Sequence, residues 1–315
     1  QPRLAYAFGA DPAWDTRVMG WIKAVRGRAR AGVSAPATLI DAHALVDAMR
    51  LVKDHHEIGL MQRAADISVK AHVAAMRTCQ PGKGEWEIEA ELLRTFRRHG
   101  CQAPAYTPIV AGGANACVLH YVSNDQTLKD RDLLLIDAAG EYHGYAADIT
   151  RTFPVNGRFS APQRDVYEIV LSAQLAAIDS VRPGNTFNSP HEAALRILVE
   201  GMVDLKLLRG EVDGLLESEA YKRFYMHRTG HWLGLDVHDA GDYKQAGQWR
   251  TLEPGMALTV EPGFYIRPAD DVPEHFHNIG IRIEDDVVVT ERGCNVLTAA
   301  APKTIKDIEE HMRVR

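Results

Sequence analysis

Three histidines, His227, His231 and His238, fall close together in 227-HRTGHWLGLDVHD-239. His227 and His231 are four apart, the spacing that sets two imidazoles on one helix face around a metal ion. Gly230 and Gly234 argue against a helix here, because each costs about 1 kcal/mol relative to alanine in a helix interior. Arg228 also stands where a helical zinc motif needs a glutamate base. The alternation in 231-HWLGLDV-237 predicts a strand instead. A strand with a loop would hand over one imidazole as a ligand and leave the other histidines free.

Four carboxylates complete the chemistry. Asp137 ends the apolar run 133-LLLID-137, and Asp148 sits in 145-YAADITRTF-153. A lone aspartate at a turn is ordinary, but two that bracket Gly140 and Gly144 can meet across a hairpin. Glu261 lies in 257-ALTVEPGFY-265, where Pro262 and Gly263 end the strand after it. Glu284 lies in 280-GIRIEDDVVVT-290, on the same strand face as Arg282 and opposite Ile281 and Ile283. Alternation by itself makes that pair a solvated outer face. Two aspartates, two glutamates and one histidine form an oxygen-rich donor set that suits a pair of divalent ions such as Mn²⁺. Shared carboxylates can hold two ions about 3.5–4 Å apart with a bridging water whose pKa falls toward neutrality. Further histidines could then transfer protons or stabilise an oxyanion.

The elements that must position these groups recur. Helical periodicity runs over residues 54–79 and 85–99, with Trp86, Leu92, Leu93 and Phe96 apolar in the second helix and Pro81-Gly82 between the two. Strands are predicted at 133–136 and 148–155. The order returns with helices at 163–181 and 190–208 around Pro183-Gly184, then strands at 231–237, 257–266 and 279–290. This predicts an α+β fold built from a duplicated helix-helix-antiparallel-strand unit, with one curved sheet and helices on its outer face.

Of the 315 residues, 46% are hydrophobic and 25% charged, the composition of a globular protein. A net charge of −6 gives no general attraction for nucleic acid or acidic membranes, and no apolar run approaches the roughly 20 residues of a membrane span. Cys79, Cys101, Cys117 and Cys294 form no C-x-x-C pair, which fits a reducing, cytoplasmic setting. No signal-peptide pattern opens the chain. It begins at Gln1 rather than Met, as a processed, cleaved or incompletely resolved chain would.

At these residues the sequence resembles the pita-bread metallopeptidases, on the aminopeptidase P and prolidase branch. The resemblance rests on 133-LLLIDAAGEYHGYAADITRTFPV-155, 231-HWLGLDVHDAG-241, 252-LEPGMALTVEPGFYI-266 and 279-IGIRIEDDVVVT-290, in that order, over about residue 38 to the C-terminus. It implies the pita-bread fold over 46–315, with 1–45 as the tail of a truncated amino-terminal domain and its linker. It also implies two divalent ions, Mn²⁺ before Zn²⁺ or Co²⁺. Asp137 would bind one ion, Asp148 and Glu284 would bridge both, and His231 with Glu261 would complete the other.

His120, His227 and His238 would be catalytic, and Tyr265 and Arg282 are candidate substrate-binding side chains. The implied reaction releases the N-terminal residue from peptides with proline second, by attack of a metal-bridging hydroxide on the X-Pro carbonyl. Similar enzymes form dimers or tetramers, and a separate amino-terminal fragment is a further partner to expect. Prolidase, which takes only dipeptides, is the nearest alternative; methionine aminopeptidase shares the ligand set but matches less well around it. A non-catalytic pita-bread binding protein or inactive fragment is the alternative of another class, although such relatives normally lose ligands that are intact here. Arg228 stands where members of the family commonly have a small residue. It would either narrow the pocket or point outward.

Overall fold

A computed structural model describes residues 2–313, and the chain separates into two units between Arg50 and Leu51. In the first unit, strands β1 (Arg3–Tyr6) and β2 (Thr38–Asp41) pair in parallel. Helix α1 (Pro12–Arg26) lies between them in sequence, and α2 (Ala42–Leu51) reaches the boundary. Asp11 caps α1 by accepting from the N–H groups of Ala13 and Trp14.

The second unit opens with α3 (His55–Thr78). The Asp54 carboxylate accepts from His56 and Glu57 N–H, and the Glu57 side chain accepts from Asp54 N–H, a reciprocal cap. Met61, Ala64, Ala65, Ser68, Ala71, His72, Ala75 and Met76 form its buried stripe at helical spacing. Gly82, at φ +89°, turns the chain into α4 (Glu85–Arg98), which packs on α3 and buries Ile88, Leu92 and Phe96. Trp86 does not join that face: it is exposed and folds over Gly84, where a Cβ would lie 2.4 Å from the indole.

Strands β3 (Ala103–Pro104), β4 (Ile109–Gly112), β5 (Leu133–Asp137), β6 (Gly140–Tyr142), β7 (Tyr145–Ala146) and β8 (Thr150–Pro154) follow. β5 pairs antiparallel with β4 on one side and β8 on the other, and β3, β6 and β7 pair separately. The expected pairing of the strands flanking Gly140 and Gly144 is thus present, with a small hairpin inserted between them. Its turn is made by His143 and Gly144, both at positive φ, whereas Gly140 lies within β6.

The order then repeats. Helices α5 (Ala161–Ser180) and α6 (Ser189–Asp204) pack on one another, followed by α7 (Val212–Glu217) and the short strands β9 (Lys244–Gln245) and β10 (Gln248–Trp249). After these come β11 (Ala257–Val260), β12 (Gly263–Ile266), β13 (Ile279–Arg282), β14 (Asp285–Val289), β15 (Cys294–Val296) and α8 (Ile305–Arg313). β11–β14–β15 and β12–β13 pair antiparallel. The runs 257–266 and 279–290, read as single strands, are each broken in two, and Glu261 and Glu284 sit in the breaks.

The strand expected at 231–237 is absent. Residues 229–233 do run beside β11, with His231 and Thr229 carbonyls accepting from Thr259 and Glu261 N–H. Only Trp232 and Leu258 form a ladder bridge, and beyond it the chain bends through 234–238. Gly230 permits the close approach: a Cβ there would lie 2.1 Å from the Thr259 carbonyl oxygen.

The two repeats are stitched together at β8 and β13. Glu284 N–H donates to the Thr150 carbonyl at 3.1 Å, and the Thr152 hydroxyl donates to the Arg282 carbonyl at 3.0 Å. Beneath that seam lies Arg151, wholly buried. Its guanidinium donates to the Thr150, Glu284, Ala301 and Pro302 carbonyls and to Asp285 Oδ1 at 2.7 Å. Lys303 and Gln174 donate to the other Asp285 oxygen. Every polar edge of this pair is thereby satisfied, as a buried charge requires.

Candidate metal and peptide site

Each candidate ligand sits where a regular element stops. Leu133–Ile136 are buried on both faces of β5, and Asp137, paired across the ladder with Thr150, ends the strand half-buried. Asp148 comes just before β8 and is buried. Its backbone N–H donates to Asp286 Oδ2 at 3.0 Å, which fixes the chain that carries it. Glu284 is buried and accepts from the Thr150 hydroxyl at 2.6 Å. Alternation had placed Arg282 and Glu284 on a solvated face; both are instead buried, because that face is the floor of the site.

Single ligand atoms of Asp148, His231 and Glu284 lie within 4.8 Å of one another. His231 Nε2 is 3.3 Å from Asp148 Oδ2 and 3.9 Å from Glu261 Oε1. Its Nδ1 is 3.0 Å from the Trp232 carbonyl. A carbonyl only accepts, so Nδ1 carries a proton; Nε2 faces the carboxylates and, with no cation bound, is protonated too and donates to Asp148, a proton that a bound cation would replace. That Nδ1 bond and the oxygen-rich surround fit a divalent cation. Asp137 is held differently, its Oδ2 accepting from Arg282 Nη2 at 2.6 Å.

Electrostatics shows what the acids need. Burial and then the Asp137 charge raise Asp148, and burial opposed by His231 and Arg282 leaves Glu261 at about 7. Glu284 is pushed well above the usual carboxylate range by burial and by Asp148. Burial would lower His231, but its hydrogen bond to Asp148 and the Glu261 charge outweigh it and lift the imidazole to about 9. The cluster is thus short of positive charge, which bound cations would supply.

His120, His227, His238 and Arg282 line the same cavity, of about 910 Å³, together with the four acids and with Phe187, Tyr243 and Trp249; Tyr265, the other candidate for substrate contact, does not line it and is wholly buried behind His227. His227 Nδ1 donates to the Arg228 carbonyl at 2.7 Å, and its Nε2 accepts from the Tyr265 hydroxyl at 2.8 Å. Burial and then Arg282 lower His227 to about 3, so the ring is neutral. Arg282 Nη1 donates to Tyr265 at 3.0 Å, which links His227 through Tyr265 and Arg282 to Asp137. The His238 ring packs edge-on against His231 with centroids 4.3 Å apart. Burial and then His231 lower His238 below the ordinary histidine value.

Sequence reading missed Tyr106. Its hydroxyl lies 2.6 Å from Asp137 Oδ1 and within hydrogen-bond distance of Asp148 Oδ1, between the two acids. Burial and then the Asp137 and Asp148 charges raise it well above the usual phenol value, so it stays a donor. Lys53 was also missed. It pairs with Asp239 at 2.8 Å, both side chains almost wholly buried, and so secures the end of the histidine loop. Neither residue belongs to a motif, and Lys53 and Asp239 lie 186 positions apart.

Residues 59–291 match the profile of metallopeptidase family M24. The chain belongs to that family. An Xaa-Pro aminopeptidase of Haemophilus influenzae is 53% identical over 274 residues, which cover 87% of this M24 chain and 64% of that protein. The chain thus spans about two thirds of that relative's length. The solved aminopeptidase of Pseudomonas aeruginosa superposes with a TM-score of 0.97 at 52% identity, over 99% of this chain and 71% of that one. A zinc-substituted aminopeptidase P of Escherichia coli in complex with product gives a TM-score of 0.95 at 46% identity, over 99% and 70%. The doubled helix-helix-strand architecture is the M24 pita-bread fold.

Proposed function

We propose that this chain carries the catalytic domain of an Xaa-Pro aminopeptidase, releasing the first residue of peptides whose second residue is proline. The observation that carries the reading is His231 Nε2 facing Asp148 and Glu284 on the floor of a histidine-lined cavity. High identity to an Xaa-Pro aminopeptidase supports the choice of substrate. Asp137, Asp148, His231, Glu261 and Glu284 would hold two divalent ions, Mn²⁺ in preference to Zn²⁺ or Co²⁺ for so oxygen-rich a set. When bound, such ions acidify water and polarise a carbonyl.

The chain's own side chains do the rest. The acid cluster attracts the free amino terminus of the peptide. Both His227 nitrogens are engaged, so His227, braced by the buried Tyr265, shapes the proline wall, and Arg282 keeps Tyr265 and Asp137 in register. His238, neutral and facing the cavity, is the group that hydrogen-bonds the scissile carbonyl oxygen as charge develops there. His120 supports substrate from the same cavity. The X-Pro bond suits such a site because it lacks the amide hydrogen that other peptidases read.

Residues 1–45 are, on this reading, the tail of an amino-terminal domain, and a cytoplasmic homo-dimer or homo-tetramer is the assembly we infer. That Cys79, Cys101, Cys117 and Cys294 form no disulfide with one another supports a reducing compartment. Elemental analysis is expected to find two equivalents of metal, and H231A or D148A to abolish hydrolysis of an X-Pro-Y tripeptide in Mn²⁺-supplemented buffer. Near-normal turnover by either variant refutes the assignment. Turnover of an X-Pro dipeptide in place of the tripeptide moves the reading to prolidase.

A further inference from the structure

The cavity is lined by charges of both signs. Its lining holds Asp137, Asp148, Glu261 and Glu284, with Arg282 already committed to Asp137, and Asp239, which pairs with Lys53. Arg228 lies on the lining too, and no carboxylate among the described residues pairs with it. It is nevertheless held in place. Its Nη2 donates to Asn188 Oδ1, and its guanidinium carbon lies 4.7 Å from the centre of the Trp249 ring. Asn188 is itself oriented, because its amide nitrogen donates to Glu192 Oε1 at 2.6 Å. Lys244 Nζ lies 4.3 Å from the same indole centre and adds a second positive charge at that wall.

A guanidinium has five N–H donors in a planar fork, and stacking on an aromatic ring fixes the plane without using them. The bond to Asn188 engages one nitrogen only. The remaining donors form a preset receptor for a carboxylate, the partner whose geometry the fork matches. A peptide in the cavity has the complementary polarity, with its positive amino terminus toward the acids and its negative end toward Arg228.

We propose that Arg228, braced by Asn188 and Trp249, is a specificity-determining residue that receives a carboxylate carried one residue beyond the substrate's proline. The carboxylate is either the chain terminus of a tripeptide or an acidic third side chain. The proposal rests on the reading that the X-Pro bond lies over the acid cluster. Reach is compatible with it. His227 and Arg228 have adjacent Cα atoms, about 3.8 Å apart, and an extended peptide advances about 3.3 Å per residue. A group one residue past the proline beside His227 therefore falls within the arc of the Arg228 side chain.

The test compares Ala-Pro-Ala with Ala-Pro-Ala-amide on the Mn²⁺-loaded protein, measuring kcat and KM separately. The wild type is expected to show a KM roughly tenfold lower for the free carboxylate, as one charge-assisted fork would give. In R228Q the two KM values should converge. R228K, which keeps charge but loses the planar fork, should retain only part of the preference. Equal KM values in the wild type, or an undiminished preference in R228Q, would overturn the proposal. Ala-Pro-Asp-amide separates the two sources: it matches the free tripeptide if an acidic side chain is read, and the amide if only the terminus is read.

Calorimetric binding of Pro-Ala and Pro-Ala-amide to the same metal-loaded proteins repeats the comparison without turnover. Absence of all X-Pro hydrolysis therefore counts against the activity, while this arm still decides the role of Arg228.

Discussion

At the scale of single residues, burial keeps three of the site's acids, Asp148, Glu261 and Glu284, from ionising freely. Glu261 stands at about 7 and His231 at about 9. Between roughly pH 4.5 and 7 the folded chain keeps a proton on Glu261 that the unfolded chain has released, and between roughly 6.5 and 9 the same holds for His231. Both shifts are upward, so both contributions are lost as pH rises. The melting temperature of metal-free protein should fall from about pH 7.5 to 9, above the range where the depressed His72, His191 and His227 act in the opposite direction, and added Mn²⁺ should raise it more at pH 8 than at pH 6. A flat or rising metal-free curve would contradict the charge distribution. Much of this scale was legible, because Asp137, Asp148, His231, Glu261 and Glu284 stand in motifs with turn signals beside them. Tyr106 was not, since a tyrosine before Pro108 in a loop has no periodic neighbour to mark it.

At the scale of elements, the histidine loop shows what periodicity can and cannot tell. The glycines at 230 and 234 rightly excluded a helix, and residues 229–233 do run extended beside β11. Alternation then overshot, because 234–238 bends so that Asp239 can meet Lys53, a partner distant in sequence. Alternation also gave the side of Arg282 and Glu284 correctly but not their burial, since it reports parity and not what covers a face. Two variants test the loop. G230A forces a Cβ to within 2.1 Å of a backbone oxygen and should destabilise the protein by about 2 kcal/mol or more in denaturant titration. K53M removes the buried ion pair to Asp239 and should destabilise by about 1.5–3 kcal/mol, the range of a hydrogen bond between charged groups. A loss below about 0.5 kcal/mol in K53M, the range of an ordinary surface change, would mean the pair does not secure the loop.

At the scale of the whole second unit, the duplication was readable from two helix pairs around Pro-Gly breaks, but the seam between the repeats was not. Arg151 sits in the first repeat and holds the Glu284 carbonyl, Asp285 and the chain at Pro302. D285A should lower thermal stability by about 3–5 kcal/mol, since it strands a buried guanidinium. It should also weaken metal retention in equilibrium dialysis. A lower melting temperature with unchanged metal retention would separate the scaffold from the site.

The seam also divides the donors unequally. The first repeat brings Asp137 and Asp148, and the second brings His231, Glu261 and Glu284. On the proposed assignment of the ligands neither repeat holds a complete set, so severing the backbone in the turn around Gly157 should yield two pieces that are each inert. Catalytic competence would then reappear only on reconstitution of the pair, with stoichiometric cation as the glue between former twins.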